Sequence, residues 1–375
     1  MNIGSLVTKG MRIGIIGSRG IPNKYGGFEE FAENLSVGLV KAGFDVTVYS
    51  SHNHPYQGID FQGVKIIKCY DPEDKMGVSG QFIYDMNCIL DSRKRSFDII
   101  YQLGYTSNGI WQWLLPKAQV SVINMDGMEW KRCKYALVVR KFLKFSEKLA
   151  AKKNTLLIAD SPVIRDYLRD NYNKPVQYLS YGARIPEEIN TSSLVELGLE
   201  ERGYYLIIAR LQIDNHVEEI IKGVVESKTN HPLVIVGNYK TKYGAYLRNK
   251  YNDPLIMFLG GIFNTATLNA LRKYARVYFH GHSAGGTNPS LLEAMAAGAK
   301  VCAHDNAFNK AVLEKNATYF RNKDHISALL NRGNIDDYNW ATWKKNNLEK
   351  IKSAYNWDFI IKDYKLLFQK LIKEY

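Results

Sequence analysis

Residues 277–300 read VYFHGHSAGGTNPSLLEAMAAGAK, and they contain the strongest indication of the fold in the sequence. The largely apolar run at 277–280 predicts a buried strand, because parallel strands covered on both faces are continuously hydrophobic. A glycine-rich loop follows, and a helix is predicted to begin at Pro289 with Asn288 as its N-cap. Strand, glycine loop and helix in this order predict one unit of a doubly wound α/β sheet.

The same unit recurs along the whole chain in two series. Strands are predicted at 11–17, 44–50, 64–69, 98–103, 120–124, 156–159 and 176–179, and then at 204–209, 233–236, 256–259, 277–280 and 300–303, with helices between them. The polar residues 186–202 interrupt the alternation and are interpreted as the connection between two domains. The sequence therefore predicts an α/β protein with two Rossmann-like domains facing a cleft.

Length and composition agree with that organisation. The chain has 375 residues, of which 46% are hydrophobic and 23% charged, and this suits two domains of about 150–200 residues each. We expect the domains to span 11–185 and 186–356. Residues 1–10 lack the apolar core of a signal peptide and are predicted to be a disordered leader. No run of about 18 apolar residues is present, so a transmembrane helix is not predicted.

Cysteine usage and charge bear on the compartment and the partners. The cysteines are scattered without C-x-x-C spacing, which predicts free thiols in a reducing cytoplasm (Cys69, Cys88, Cys133 and Cys302). The 50 basic and 37 acidic residues give a net charge of +13. Such a surface attracts nucleic acid, anionic lipid or phosphorylated small molecules. Charge alone does not choose among these, but no recognition motif supports a nucleic-acid partner.

The loop before Pro289 has the composition of an anion-binding site. Glycines let a backbone approach a phosphate closely, and the helix N-terminus offers amide groups with a favourable dipole. Glu293 lies one turn inside the helix, where it could bind a ribose diol or be a solvated carboxylate. His280 and His282 are each either a structural histidine or a ligand-binding one, and the sequence favours neither alternative. A metal pair is not favoured, because no third ligand is evident.

Arg210 directly follows the predicted strand 204–209. An arginine at a strand end suits a diphosphate, since its guanidinium binds phosphate oxygens in a bidentate manner. The alternative is a surface salt bridge. Asn215 either contributes to the same site or caps the next helix.

Two loops of the first series are candidates for acceptor binding. Residues 17–29 read GSRGIPNKYGGFE, and Gly26 and Gly27 adjoin a predicted helix N-terminus, so the loop is either a phosphate cradle or a tight turn. Asp126 and Glu129 follow the strand 120–124 and are candidates for acid–base chemistry or hydroxyl binding. The Asp126-Gly127 pair is also typical of a turn.

Residues 131–153 hold nine basic residues and one acid, Glu147. An apolar stripe recurs among them at helical spacing (Tyr135, Val138, Phe142, Phe145 and Leu149). The stripe either docks an ordinary helix on the core, with a solvated basic face, or lies on an anionic membrane beside a lipid-linked substrate. The second alternative predicts a cytoplasmic protein that is peripheral at the inner face of the cell membrane.

At these residues the chain resembles the family-4 retaining glycosyltransferases of GT-B fold. The resemblance rests on the Arg210 loop and on GGTNPSLLEAMAAG at 285–298. The motifs at 17–29 and DGMEWKR at 126–132 look like the bacterial rhamnosyltransferase branch, which builds capsule, cell-wall and O-antigen polysaccharides. The last helix, at 357–375, is similar to the one that crosses back to the first domain in this fold.

The resemblance implies dTDP-L-rhamnose as donor, a saccharide on a lipid diphosphate as acceptor, retention of configuration, and no metal or other cofactor. It implies catalytic roles for Asp126, Arg210 and Glu293. The donor-binding residues would be Gly26, Gly27, Arg210, Asn215, His282, Gly285, Gly286, Thr287, Asn288 and Glu293. The acceptor-binding residues would be Tyr25, Asp126, Glu129, Lys131 and Arg132.

Three positions depart from the wider family's pattern. Gly285 stands where the wider family has a glutamate, Asn215 where it has a lysine, and Asp126 where it has a histidine. A glutamate at 285 would bind sugar hydroxyls, and its absence is consistent with a 6-deoxy sugar. The departures leave open which sugar is bound.

The expected mechanism places the developing negative charge of the diphosphate on Arg210 and the helix N-terminus, so that no metal is required. No D-x-D motif is present, in agreement with this. The alternatives are a UDP- or GDP-sugar donor and a non-catalytic scaffold homologue. A nicotinamide oxidoreductase is disfavoured, because the G-x-G-x-x-G fingerprint is missing.

Overall fold

The computed structural model describes residues 10–116, 120–331 and 339–374. The predicted leader, residues 1–10, lies outside the described residues except for Gly10. The chain divides into two compact units. The first comprises residues up to Trp130, Leu137–Tyr181 and the residues from Trp357 onward, and the second comprises Lys131–Ala136 and Gly182–Asn356.

The first unit is built on a sheet in which eight described strands take the order β3-β4-β2-β1-β5-β6-β7-β8. All neighbours pair in parallel except β3 with β4. The strands are β1 (Arg12–Ile16), β2 (Asp45–Ser51), β3 (Asp60–Phe61), β4 (Val64–Cys69), β5 (Ile99–Leu103), β6 (Val120–Asn124), β7 (Leu156–Ala159) and β8 (Val176–Tyr178). The central strands are buried along their length, as the continuous apolar runs predict.

Helices cover this sheet. They are α1 (Gly27–Lys41), α2 (Glu73–Met76), α3 (Gly80–Ser92), α4 (Leu137–Lys153), α5 (Pro162–Tyr172) and, from the end of the chain, α14 (Trp357–Glu374), with 3-10 turns at Gly77–Ser79, Gly109–Leu114 and Glu129–Lys131. The predicted last helix is confirmed. The hydroxyl of Tyr364 on this helix lies 2.8 Å from that of Tyr101 on β5. The Tyr364 ring packs against Phe31 of α1.

The second unit contains a parallel sheet whose described strands take the order β11-β10-β9-β12-β13-β14. The strands are β9 (Tyr205–Ile208), β10 (Leu233–Val236), β11 (Ile256–Gly260), β12 (Val277–His280), β13 (Val301–His304) and β14 (Thr318–Phe320). The helices are α6 (Ser192–Glu196), α7 (Val217–Val225), α8 (Lys242–Lys250), α9 (Thr265–Tyr274), α10 (Pro289–Ala296), α11 (Ala307–Leu313), α12 (Lys323–Asn331) and α13 (Trp340–Ala354), with a 3-10 turn at Ile213–Asn215. Both sheets confirm the α/β, Rossmann-like fold class.

Residues 186–202 do not form a free connection, and that interpretation is wrong. The segment belongs to the second unit and contains α6, whose Leu194 is 1% exposed. Ser193 on α6 hydrogen-bonds to Thr267 on α9 at 3.1 Å. The Tyr274 hydroxyl donates to the Ile189 carbonyl at 2.9 Å. The segment is polar overall, but its few apolar side chains pack on the second unit, and composition alone does not show this.

Helix α4 docks through a face that differs from the predicted apolar stripe. Leu143, Ser146, Glu147 and Ala150 are buried, whereas Val138 is 79% and Phe145 54% exposed. Only part of the stripe docks the helix, because the half-buried Phe142 packs against Phe82 of α3 with ring centroids 5.7 Å apart. The buried face combines apolar side chains with Ser146 and Glu147, whose hydrogen bonds are made inside the first unit.

Candidate functional site

The order of the second sheet reverses between β9 and β12, since β9–β11 extend to one side and β12–β14 to the other. In open α/β sheets, ligands bind beyond the carboxyl ends of the strands at such a switch point. Arg210 follows β9, and the glycine-rich loop 281–288 follows β12. The sequence thus carries its two strongest donor-site motifs on the two strands that flank the switch point.

The glycine-rich loop leads into α10 as predicted. The Asn288 side chain accepts a hydrogen bond from the Ser290 amide at 3.0 Å, and Pro289 occupies the first helical turn. Gly285 has a φ of 114°, a conformation that L side chains rarely adopt. A glutamate at this position would therefore strain the backbone. The loop thus differs from the wider family's pattern in a backbone conformation that suits glycine as well as in the missing side chain.

Asn215 does not cap a helix, which removes one of its two predicted interpretations. It ends a 3-10 turn, and α7 begins two residues later without a side-chain cap. Its side-chain amide instead donates to the carbonyl of Arg210 at 2.7 Å. Asn215 is 4% exposed, so this buried contact fixes the backbone that carries the exposed Arg210 side chain.

Arg132 lies beside the glycine-rich loop. Residues Lys131–Ala136 belong to the second unit, and an Nη2 atom of Arg132 lies 3.8 Å from the position that a Cβ on Gly285 would take. The Cys133 amide donates to Asp214 Oδ1 at 3.1 Å. The motif DGMEWKR is therefore divided, with Lys131 and Arg132 on the second unit and Asp126 and Glu129 on the first.

Glu293 forms an ion pair that sequence reasoning missed. Arg272 on α9, which is 2% exposed, donates to one carboxylate oxygen of Glu293. It also donates to Asn269 Oδ1 at 3.4 Å. The Glu293 side chain keeps 31% exposure, so the ion pair orients the carboxylate without removing it from solvent. No local sequence pattern indicates this contact, because it joins two residues on different helices.

The histidines of the loop are held neutral. The His280 and His282 rings stack at a centroid distance of 4.4 Å, and His280 is fully buried. Burial, followed by the positive charges of Arg210 and Arg132, lowers the pKa of His282 to about 3. His282 is therefore uncharged at neutral pH, and it acts in the site as a hydrogen-bonding or packing group rather than as a cation.

The glycine-rich loop of the first unit is closed by its own side chains. The amides of Tyr25 and Gly26 donate to Asn23 Oδ1 at 3.0 and 3.2 Å, and the amide of Arg19 donates to Glu29 Oε1 at 2.9 Å. These three amides already have acceptors within the loop and are not available to a phosphate, whereas the binding role of Gly26 and Gly27 stays a prediction. The Tyr25 ring is 46% exposed and lies under the Arg19 guanidinium.

The loop that carries Asp126 is held by a buried carboxylate. Asp126 adopts a positive φ of 47°, and its amide donates to Asn124 Oδ1 at 2.9 Å. Glu147 on α4 accepts from Trp130 Nε1 at 2.8 Å and from the Tyr105 hydroxyl at 3.2 Å. The same hydroxyl donates to the Gly127 carbonyl and accepts from the Glu129 amide. Asp126 and Glu129 thus lie on one turn whose backbone is held by hydrogen bonds to Asn124 and Tyr105.

Comparisons with known proteins agree with this architecture. A family model described as a domain of unknown function (DUF1972) matches residues 11–184. A protein of Methanocaldococcus jannaschii named as an uncharacterized glycosyltransferase is 26% identical over 250 residues. This alignment covers 60% of this chain, and the chain spans only 61% of the length of that relative.

Solved structures match over nearly the whole chain. Sucrose-phosphate synthase from Thermosynechococcus elongatus superposes with a TM-score of 0.80 at 17% identity, covering 97% of this chain and all of that one. HepE from Anabaena, in complex with UDP and glucose, gives 0.74 at 14% identity, covering 96% and 100% of the two chains. The trehalose-6-phosphate protein from E. coli bound with UDP-2-fluoro glucose gives 0.70 at 12% identity, covering 96% and 99%. The fold is therefore that of the GT-B glycosyltransferases.

Two features are absent from the described residues. None of the helices there is both long and apolar enough to cross a membrane, and no three His, Cys, Asp or Glu side chains are grouped as a metal site would require. Independence from metal stays a prediction. The cysteines are free thiols, as predicted.

Proposed function

We propose that this protein is a glycosyltransferase that takes its sugar from a nucleotide sugar. The observation that carries the proposal is the pair of motifs at the switch point of the second sheet. Arg210 follows β9, and the loop 281–288 runs into the N-terminus of α10 beyond β12. Support comes from the glycosyltransferase name of the M. jannaschii relative and from UDP in a solved structure of the same fold.

In the proposed mechanism the leaving diphosphate is stabilised where its charge develops. Arg210 and the backbone of the glycine-rich loop at 285–288 bind the diphosphate oxygens, and the dipole of α10 adds to the stabilisation. The Glu293 carboxylate, oriented by Arg272, binds the ribose hydroxyls. The first unit binds the acceptor through Tyr25, Asp126 and Glu129.

The finer proposals follow the resemblance. The donor is dTDP-L-rhamnose, the acceptor is a saccharide on a lipid diphosphate, and the product retains the configuration of the donor. The transfer needs no metal. The product belongs to a cell-surface polysaccharide such as a capsule or an O-antigen.

The surface of α4 supports a peripheral position on an anionic membrane. Leu137, Val138 and Phe145 are between 54% and 79% exposed. Trp113, on the 3-10 turn that packs against α4, is 66% exposed. The exposed lysines on this helix (Lys141, Lys148, Lys152 and Lys153) stand beside the stripe. Apolar side chains flanked by lysines suit the headgroup boundary of an acidic bilayer.

Substitution of both Val138 and Phe145 by glutamate should lower binding to phosphatidylglycerol vesicles at least tenfold. Burying a phenylalanine is worth about 1.5–3 kcal/mol, and about 1.4 kcal/mol corresponds to a factor of ten. Vesicle co-sedimentation would measure this. Phe263→Glu is the matched control, because Phe263 is 84% exposed on the second unit. Equal binding by the double variant and the control would exclude α4 as the membrane face.

A turnover panel read by mass spectrometry tests the proposed function. The protein would be incubated with EDTA, a lipid-diphosphate-linked glucose or N-acetylglucosamine, and dTDP-rhamnose beside UDP- and GDP-sugars. We expect transfer of a deoxyhexose from dTDP-rhamnose alone, and loss of transfer in Glu293→Ala. Transfer of another sugar would correct the donor but keep the class. No turnover together with no nucleotide binding would favour the non-catalytic scaffold.

A further inference from the structure

We propose that Arg132 binds the diphosphate of the nucleotide sugar as a second cation beside Arg210. This inference rests on the proposed function. It assigns Arg132 to the donor, whereas the sequence alone placed it in the acceptor site.

The switch point of the second sheet is short of positive charge. Residues 277–298, which form β12, the glycine-rich loop and α10, contain no lysine or arginine. Asn215 is neutral, and its amide is committed to the Arg210 carbonyl at 2.7 Å. The stacked rings of His280 and His282 are neutral as well, because burial lowers the pKa of both. Residues 277–298 and Asn215 therefore supply no positive charge beside Arg210 for a diphosphate of two or more negative charges.

Arg132 is the cation placed to correct this shortage. Its Nη2 lies 3.8 Å from the Cβ position of Gly285, at the point where the glycine-rich loop has the positive φ that lets its backbone approach a ligand. Together with Arg210 it lowers the pKa of His282, so both guanidiniums act on the same part of the loop. Two guanidiniums on one diphosphate provide more hydrogen bonds and a better charge match than one.

The backbone that carries Arg132 is anchored to the Arg210 side of the site. The Cys133 amide donates to Asp214 Oδ1 at 3.1 Å. The Asp214 carbonyl accepts from the amide and the hydroxyl of Ser283 at 3.0 and 2.9 Å. Asp214 therefore ties the segment 131–136, the turn after Arg210 and the glycine-rich loop together, which fixes Arg132 relative to the loop amides.

Calorimetric titration with nucleotides tests the assignment. The full chain would be titrated with dTDP and dTMP, and with UDP and UMP, as wild type, Arg132→Gln and Lys134→Gln. Lys134→Gln removes one positive charge from the same segment, so it controls for long-range electrostatics. We expect Arg132→Gln to weaken diphosphate binding about tenfold, the effect of losing one charged hydrogen-bonding partner. Monophosphate binding should change less than about threefold, and Lys134→Gln should resemble wild type.

Three results would overturn the inference. Diphosphate affinity in Arg132→Gln equal to that of Lys134→Gln would show that Arg132 does not contact the donor. If Arg132→Gln lost the same affinity for monophosphates as for diphosphates, the effect would come from the fold or from contacts with the nucleoside. Unchanged nucleotide binding with a raised KM for the acceptor would return Arg132 to the acceptor site. A wild-type protein that binds none of the nucleotides would overturn the proposed function itself, which is a different outcome from the failure of one variant.

Discussion

Replacing Arg210 with alanine should lower kcat by about 10²–10³, because removal of one preorganised charge stabiliser costs about that factor in comparable sites. Arg210 lies at the start of the loop after β9 and has its carbonyl held by the buried Asn215. The backbone from which its guanidinium reaches the diphosphate is therefore already in place. The variant should retain its fold, since the Arg210 side chain is exposed.

Steady-state kinetics with the donor identified by the turnover panel would measure this effect. Arg276→Ala is the matched control, because Arg276 precedes β12 at the amino edge of the same sheet, away from the ligand edge. Arg210→Lys should recover only part of the rate, since a lysine is a point charge without the bidentate geometry of a guanidinium. A kcat within about twofold of wild type in Arg210→Ala would remove Arg210 from the mechanism.

Most of the fold was predictable because the two sheets are parallel and buried. Buried parallel strands are short apolar runs, and five of them have the predicted bounds without change: β4, β6, β7, β10 and β12. The strands that sequence reasoning missed are β3 and β14, of two and three residues. Both lie at sheet edges, where a strand can be too short to show a pattern.

The part of the candidate site that depends on local backbone structure, the start of α10, was predictable. Asn288 and Pro289 fix the start of α10 through local rules that depend on neighbouring residues. Arg272 was not predictable, because its contact with Glu293 joins two helices. The position of Arg132 was not predictable either, since it depends on an anchor 81 residues away, from the Cys133 amide to Asp214.

The docking face of α4 shows why periodicity can select the wrong face. Val138 and Phe145 of the predicted stripe are exposed, whereas the buried face includes the polar Ser146 and Glu147 beside Leu143 and two alanines. Hydrophobic periodicity assumes that polar side chains stay outside. Here the hydrogen bonds of the buried polar groups are made within the first unit, so that assumption fails. The exposed residues of the stripe, Val138 and Phe145, can then contact another surface.

Replacing Glu147 with leucine should lower the free energy of unfolding of the first unit by about 3 kcal/mol, because several side-chain donors lose their acceptor at about 1–3 kcal/mol each. The Glu147 side chain is 2% exposed and pairs with Lys144. It also accepts hydrogen bonds from the side chains of Trp130, Tyr105, Tyr167 and Tyr172. Leucine has nearly the same volume but accepts none of these, so several donors lose a buried partner.

Urea unfolding followed by tryptophan fluorescence would measure the loss. Glu349→Gln is the matched control, since Glu349 and Lys352 form an ion pair of the same spacing on an exposed helix, where such a pair contributes about 0.5 kcal/mol or less. With two units, the shift should appear in the transition of the first unit. Equal stability of Glu147→Leu and Glu349→Gln would show that the hydrogen bonds to Glu147 add nothing to the fold. A large loss would mean that the turn bearing Asp126 and Glu129 is rigid because a buried carboxylate on α4 holds it, and that the outward position of the apolar stripe follows from that polar contact.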